Sequence, residues 1–393
     1  MYVGLDLGGG YVKVGLGEKR LQVPNCTAAL KKSNSILVGD QTAVEDGSLR
    51  HSDLTYSRPF ERGYLTNPDN EIEVLERIFK DILRVNPSAP NIAGVALTEA
   101  PFAPSESKAY LDEIVFEHFG FKSLVKQNAA TVAAFAHCSV TGKENSYSSS
   151  AYLMVDFGYS FTLVTPVLCG SPVEAATKRL DIGGKLLTNY LKELVSYRQF
   201  NLIDDTHVIE MARRKVCYAS LNFQADLQRS VSQPRKASLD IRLKYALPNY
   251  HNVLEGYIIP LEAEKSDLSD LQVLEFCSER FVVPELYFHP SDVGLNQAGV
   301  HEVIEHSISL CPVEVQDILR QNIVVTGGNS QTKNMVARLS RELGPRYIVK
   351  RIQTKHKEEN DSIMAPLVGL LDPKSQTNIL SKQEYEEQGP YRQ

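Results

Sequence analysis

Tryptophan is absent from this 393-residue chain, and its absence alone excludes nothing. Cysteine is scarce: six residues, at 26, 138, 169, 217, 277 and 311, none in a C-x-x-C pair. That spacing speaks against a disulfide frame or a structural zinc site, and fits reduced, partly buried thiols of the cytosol or nucleus. No apolar run approaches membrane-spanning length. Positive charge is not in surplus. Lys and Arg number 42 against 48 Asp and Glu, a net charge of −6, so the whole chain is not a general nucleic-acid binder, although local basic patches remain. There are no heptads and no low-complexity segments. The first strand is expected from residue 2, leaving no room for a secretory signal ahead of it. What is present is ordinary for a soluble globular protein: 42% hydrophobic and 23% charged residues. The length suffices for two or more domains with a large core.

The segment YVGLDLGGGYVKVGLG at 2–17 reads as strand, bare glycine turn, strand. Gly8, Gly9 and Gly10 strip the tip of side chains, which suits close approach by another group. Backbone N–H groups in such a turn form an anion nest. Asp6, ending the first strand, is placed to hold a hydrated divalent cation beside a phosphate. Lys13 supplies a point positive charge for the same phosphates. The plain alternative is an N-terminal hairpin with a flexible tip.

A second copy shifts the balance. YLMVDFGYSFTLVTP at 152–166 again runs apolar strand, Asp156, one residue, Gly158, turn, apolar strand. Repetition at domain-sized spacing suggests a duplicated fold. Two facing hairpins would grip one polyphosphate in a cleft between two lobes.

Between these hairpins, apolar spacing predicts a helix over 71–85, a buried strand in NIAGVALTEAP, an N-capped helix in SESKAYLDEIVFEHF and a short strand in SLVKQ. NAATVAAFAHCSV reads as a buried helix at the lobe interface, and the polar stretch 141–150 as the boundary between lobes. Beyond the second hairpin, Gly183 and Gly184 turn a strand into a helix. DDTHVIEMARRKVCYASLNF reads as one acid-capped helix. Residues 224–240, with Arg235 and Lys236, read as an exposed loop, and DIRLKYALPNY and GYIIPL as a hairpin. LQVLEFCSERF and HEVIEHSISL read as helices. NIVVTGGNS is a strand entering a glycine turn, and KNMVARLSREL is the helix after it. A glycine turn opening a helix offers free N–H groups to a ligand. A final apolar helix and a polar tail, SKQEYEEQGP, follow. Strands interleaved with helices in both halves give an α/β protein with mixed sheets.

The two Asp-x-Gly hairpins, LTEAP, GGKLLTNYL, KVCYASLNF, ERFVVPELYFHPSDVG, VVTGGNS and SKQEYEEQGP together resemble the actin superfamily, in order, over nearly the whole chain. PNC at 24–26, PFERGYLTN, VDFGYSFT, GGKLLTNYLKELVSYRQ and DDTHVI are closer to an actin-related branch of that superfamily than to actin itself. The resemblance implies a two-lobed, duplicated ribonuclease-H-like α/β fold with a nucleotide cleft between lobes. The first lobe would comprise 1–144 and 362–393, with 25–61 as a small second subdomain. The other lobe would comprise 145–361, with 179–279 as subdomain four.

Carried over by resemblance, the first phosphate loop would be Gly8, Gly9 and Gly10 with Lys13, and the second Asp156, Gly158 and Ser160. Asp6 and Asp156 would face a hydrated magnesium ion. Arg213 and Lys215 would form the base pocket, with Gly327, Gly328 and Asn329 opposite; the bland alternative for Arg213–Lys215 is a solvated helix face. ATP or ADP would be the ligand.

Several positions depart from the actin pattern. Gly9 replaces a serine, and Tyr159–Ser160 replaces aspartate–glycine. The histidine that helps position attacking water falls on Leu163, and the neighbouring catalytic glutamine is also replaced, with His137 as its loosely aligned counterpart. Gln331–Thr332 stands for a base-stacking Met-Tyr, and Pro366–Leu367 for a Gly-Gly pair. Each polar group lost from a preorganised site costs roughly 1–3 kcal/mol, so several losses together disable turnover and weaken affinity. The Tyr159 ring either intrudes on phosphate space or packs in the interlobe wall. The segment between Pro24 and Val38 is shorter than actin's subunit-docking loop, which argues against a filament.

The function implied by resemblance is a non-catalytic subunit of a nuclear Swr-type remodeller that exchanges a variant histone. Its partner would be a zinc-HIT-domain subunit, and it would serve transcription regulation, with some cytoplasmic protein and no membrane contact. The alternatives are an active ATPase or sugar-kinase-like enzyme of the same fold, or a cytoskeletal actin-like protein. The basic run Lys350, Arg351, Lys355, His356 and Lys357 either touches nucleosomal DNA or is a solvated loop.

Overall fold

The computed structural model describes residues 1–31, 35–42, 53–140, 150–232, 241–248, 253, 255–260, 271–354 and 360–389. Two large mixed sheets follow the same plan. In the first, the strands run in the order Ile379–Ser381, Ser123–Asn128, Gly94–Glu99, Tyr2–Leu7, Tyr11–Leu16, Lys19–Pro24. In the second, the order is Ser171–Pro172, Thr162–Leu168, Ala151–Phe157, Ile323–Thr326, Val349–Arg351, with Lys178–Leu180 also paired to Thr162–Leu168. Each acid-bearing strand is flanked by its own hairpin partner and, on the other side, by a parallel strand. Asp6 faces Lys13 across the first hairpin, and Asp156 faces Leu163 across the second. Leu5 pairs with Leu97 and Val155 with Val325 on the parallel sides. Strands covered on both faces carry continuous apolar runs, as Val3–Leu5 and Ala151–Val155 do.

Each sheet anchors a core. The first gathers Val3, Leu5, Val12, Phe79, Phe116 and Phe121. The second gathers Leu153, Phe157, Leu187, Phe276, Tyr287 and Ile304. Between the sheets lie two closely crossing helices, Ala129–Val140 and Asp361–Leu370. Ala96, Val125, Val132 and Leu370 seal this pair to the first sheet, while Ala133, Met154, Val324 and Ala365 seal it to the second. Gly369 sits directly on the Val132 carbonyl, where no side chain fits. Small residues in both helices permit the close crossing.

Several expectations are corrected. The helix predicted over 71–85 starts earlier, at Pro68, capped by the Asn67 side chain, and ends at Arg77. A π-helical turn follows at Ile78–Ile82, and a like turn, Ile114–His118, follows Ser105–Glu113. Ser105 is not that helix's cap; Pro104 occupies the cap position. The helix expected through KVCYASLNF ends at Val216, because Cys217 turns extended. The stretch 224–240, expected as an exposed loop, instead begins with a helix, Phe223–Ser232. LQVLEFCSERF holds a strand, Val273–Phe276, before a short helix, Glu279–Glu285. The strand completes a sheet with the expected hairpin of Leu243–Ala246 and Tyr257–Ile258. The polar tail contains a helix, Lys382–Gln388, with a Ser381–Glu384 capping box and a buried Tyr385. The predicted boundary at 141–150, apart from Ser150, and the basic pair Arg235–Lys236 lie outside the described residues. Among the described residues no helix is long and apolar enough to cross a membrane.

Candidate functional site

The two hairpin tips meet in one cleft of about 320 Å³. Asp6, Gly8, Gly9, Gly10, Lys13, Asp156, Gly158, Ser160, Arg213, Gly327, Gly328 and Asn329 all line it. Lys13 Nζ lies 2.8 Å from Asp6 Oδ2, and Thr98 Oγ1 donates to Asp6 Oδ1 at 2.6 Å. Burial opposes the Lys13 charge, but Asp6, with Asp156 beyond it, outweighs that and raises its pKa. Burial pushes the Asp156 carboxyl up to about 6; Lys13 pulls it down and Asp6 pushes it further up. Among the described residues no group of three or more His, Cys, Asp or Glu is placed to hold a metal ion. Asp6 is engaged at both oxygens, so a hydrated cation would reach it only by sharing them.

Both tips are held by their carbonyls. Asn25 Nδ2 donates to Gly8 O at 3.1 Å, and Arg58 Nη1 donates to Gly10 O at 3.0 Å and to Gly9 O at 3.5 Å. On the other tip, Gly158 O accepts from Asn329 Nδ2 at 2.7 Å and from Gly184 N at 3.1 Å, and Tyr159 O accepts from Lys185 N at 2.8 Å. In trans peptides the following amides point the opposite way. Those amides are the groups an anion nest would use. The glycines are needed for closeness. A Cβ on Gly9 would stand 2.5 Å from Ser160 Oγ, and one on Gly10 would stand 2.8 Å from Tyr159 Cγ. Gly327, with φ +87°, brings its backbone against the Asp156 carboxylate, where a side chain would collide. The two alternatives for Tyr159 thus merge. Its ring packs as interlobe wall, and that wall stands on the first glycine tip.

Lys215 is a correction. It is not among the lining residues; its Nζ donates to Glu255 at 2.8 Å and to Gly256 O at 2.8 Å. The two residues just before it, Arg213 and Arg214, reach the cleft instead. Arg213 Nε donates to Thr188 Oγ1 at 3.0 Å, and Arg214 pairs with the buried Glu210 at 2.5 Å and lies over the Tyr11 ring. Burial opposes the Glu210 charge, but Arg214, Arg58 and Arg213 together hold its pKa below the usual value. His137 is the second correction. It is buried in its helix against Tyr152 and accepts from Gln353 N, while Ala129, at that helix's first turn, faces the cleft. Leu163, Gln331, Thr332 and Pro366 line the cleft, and no histidine does among the described residues. Lys350 and Arg351 are exposed on an edge strand, with Arg351 donating to Ser330 O. Lys355, His356 and Lys357 lie outside the described residues.

Sequence reasoning missed Arg58, which precedes the PFERGYL connector. The following residues join the same contact. Gly63 packs against the Phe161 ring, and Arg179 stacks on Phe161 and Tyr64 and donates to Arg62 O. The run of aromatic and basic residues around 58–64 was the available signal.

A nucleotide fits this cleft in part. The glycine tips, Arg213 and the Gly327–Asn329 turn line the cleft together and are the groups that would hold it. Between the tips, where the farthest phosphate of a two-sided grip would lie, Tyr159 and Ser160 occupy the space.

A family profile described as Actin matches residues 2–392. Actin-related protein 6 of Oryza sativa subsp. indica is 35% identical over 425 aligned residues, which cover 99% of this chain and 96% of that protein. Actin-related protein 6 of Arabidopsis thaliana is 33% identical, covering 99% and 97%. Actin-related protein 6 of Drosophila melanogaster is 34% identical, covering 86% and 84%.

Proposed function

The chain belongs to the actin family, and from that premise we propose that it is a non-catalytic, actin-related scaffold subunit of a nuclear Swr-type remodelling complex that exchanges a variant histone. The observation that carries the non-catalytic part is the cleft wall. Leu163 and Ala129 face the space around Asp6 and Asp156, and no histidine lines it among the described residues. Apolar groups there leave attacking water without the oriented partners that hydrolysis uses. The complex itself rests on resemblance to relatives named Actin-related protein 6 over nearly the whole chain.

The rest of the assignment follows from that role. A zinc-HIT-domain subunit is the partner, the nucleus is the main location with some cytoplasmic protein, and the division into four subdomains is that of the family. A bound ATP or ADP with magnesium serves as a staple between lobes. At a thousand times its Kd such a ligand stabilises the fold by about 4 kcal/mol. Lys13 and the glycine tips would hold its phosphates, with Asp6 and Asp156 facing the metal's water shell.

One observation favours an active ATPase as the second reading. Asp156, held near pH 6, is a carboxyl able to take a proton close to neutrality. Purified protein with radiolabelled ATP and magnesium separates the two. Negligible phosphate release is expected, and steady turnover would establish the enzyme. Sedimentation under polymerising salt should leave the protein in the supernatant, and a pelleting filament would favour a cytoskeletal role. Pull-down from nuclear extract with mass spectrometry should recover zinc-HIT and remodeller subunits; their absence would remove the scaffold assignment.

A further inference from the structure

We propose that the cleft selects a nucleoside diphosphate over the triphosphate, with Tyr159 and Arg58 as the specificity-determining pair; this rests on the reading of the cleft as a nucleotide site.

The two tips touch. The Gly9 backbone meets Ser160 Oγ and the Gly10 backbone meets the Tyr159 ring at van der Waals distance, with no layer between them. In a grip built from two facing tips, the outermost phosphate is the one that must sit between them. The ring is not free to leave that place. Arg58 Cζ lies over it, 4.9 Å from its centroid, so the guanidinium charge sits against the ring. The same guanidinium donates through Nη1 to Gly10 O, Gly9 O and Asn25 O, at 3.0, 3.5 and 3.4 Å. Arg58 therefore binds the first tip's backbone and the second tip's aromatic ring at once. From behind, Gly183 packs against the Tyr159 carbonyl, and Lys185 N donates to it.

Charge points the same way. The charged residues lining the cleft are four acids, Asp6, Glu99, Asp156 and Glu210, and three cations, Lys13, Arg213 and Arg214. Lys13 is already paired with Asp6 and Arg214 with Glu210. The lining acids outnumber the lining cations by one, so each added phosphate gains little net attraction from the cleft's side chains. A diphosphate stops short of the tip contact and leaves the Arg58–Tyr159 stack in place.

The test is calorimetric titration of ADP and of ATP, each with magnesium, into the full chain, its Tyr159→Ala variant and its Tyr159→Phe variant. Circular dichroism melts without nucleotide serve to establish that each is folded. ADP is expected to bind the native protein and Tyr159→Phe at least tenfold more tightly than ATP, since the ring and not its hydroxyl fills the space. In Tyr159→Ala the preference should fall to within threefold, by a gain in ATP affinity. An undiminished preference in folded Tyr159→Ala would overturn the role of the ring. ATP binding as tight as ADP in the native protein would overturn selectivity while leaving the nucleotide site standing. Failure of both nucleotides to bind would remove the site itself. Should Tyr159→Ala not fold, the native comparison of ADP with ATP still decides selectivity.

Discussion

Lys13 Nζ lies 2.8 Å from Asp6 Oδ2 on the facing strand of one hairpin, and its charge also reaches Asp156 on the other. One ammonium group thus compensates a carboxyl from each half of the molecule. Removing it leaves two acids facing each other across the cleft. Lys13→Met should therefore cost about 3–5 kcal/mol near pH 8, the usual penalty for stranding a buried charge. Asp156, already near 6, loses the group that lowers its pKa, so it neutralises more readily in the variant. The loss should shrink as pH falls toward 5. Urea unfolding of both proteins at pH 5 and pH 8 reads this, and a loss independent of pH would speak for packing alone.

Glu71 is fully buried, with neither carboxylate oxygen hydrogen-bonded to a donor, and burial lifts its pKa from 4.5 to about 8, eased a little by Asn25. Because the folded value is the higher one, its stabilising share is complete below pH 4.5 and is lost as pH rises through about 8. Glu71→Gln cannot ionise. Its stability relative to the native protein should climb across that window by on the order of a few kcal/mol and level off above it. Paired denaturant curves at pH 5, 7 and 9 check the slope.

In the second lobe, Arg338 grips Glu285 with two nitrogens, at 2.9 and 2.7 Å, and also reaches Glu342, Ser220 O and the Phe288 ring. Both partners are buried. Arg338→Met is expected to cost about 3–5 kcal/mol, and adding Glu285→Met to cost less than the sum of the singles. A double-mutant cycle by thermal melting measures the coupling, and strict additivity would contradict it.

Gly63 has φ +85° and lies where a Cβ would run into the Phe161 ring of the opposite lobe. Gly63→Ala should lose roughly 1–3 kcal/mol. Pairing it with Phe161→Ala should return the steric part and leave the backbone part. Calorimetric melts of the four proteins separate the two contributions.

The acid-led glycine hairpins were legible because they are local. Five or six residues of alternating apolar character, one acid and a glycine are all that each needs. The elements that failed were decided elsewhere. Val273–Phe276 is a strand because Leu243–Ala246 offers an edge, and helical spacing within LQVLEFCSERF cannot register that. Lys215 and Arg213 sit two positions apart on one helix, and only the turn of that helix against its neighbours decides which reaches the cleft. His137 falls eight positions beyond Ala129, and here too the packing of the helix decides which residue the cleft sees. Arg58 was missed for a different reason: the run around 58–64 marks the segment but not what it touches. Its partners at 9, 10, 25 and 159 are far along the chain, and no short window contains them.

Gly369 resting on the Val132 carbonyl gives the molecule an axle. A swing of the halves would turn about that crossing, since each helix there packs on both sheets. A small rotation at the axle becomes a long arc at the rim. A binding protein that clasped the outer edges could therefore set the gap between the glycine tips from a distance, with no need to enter it.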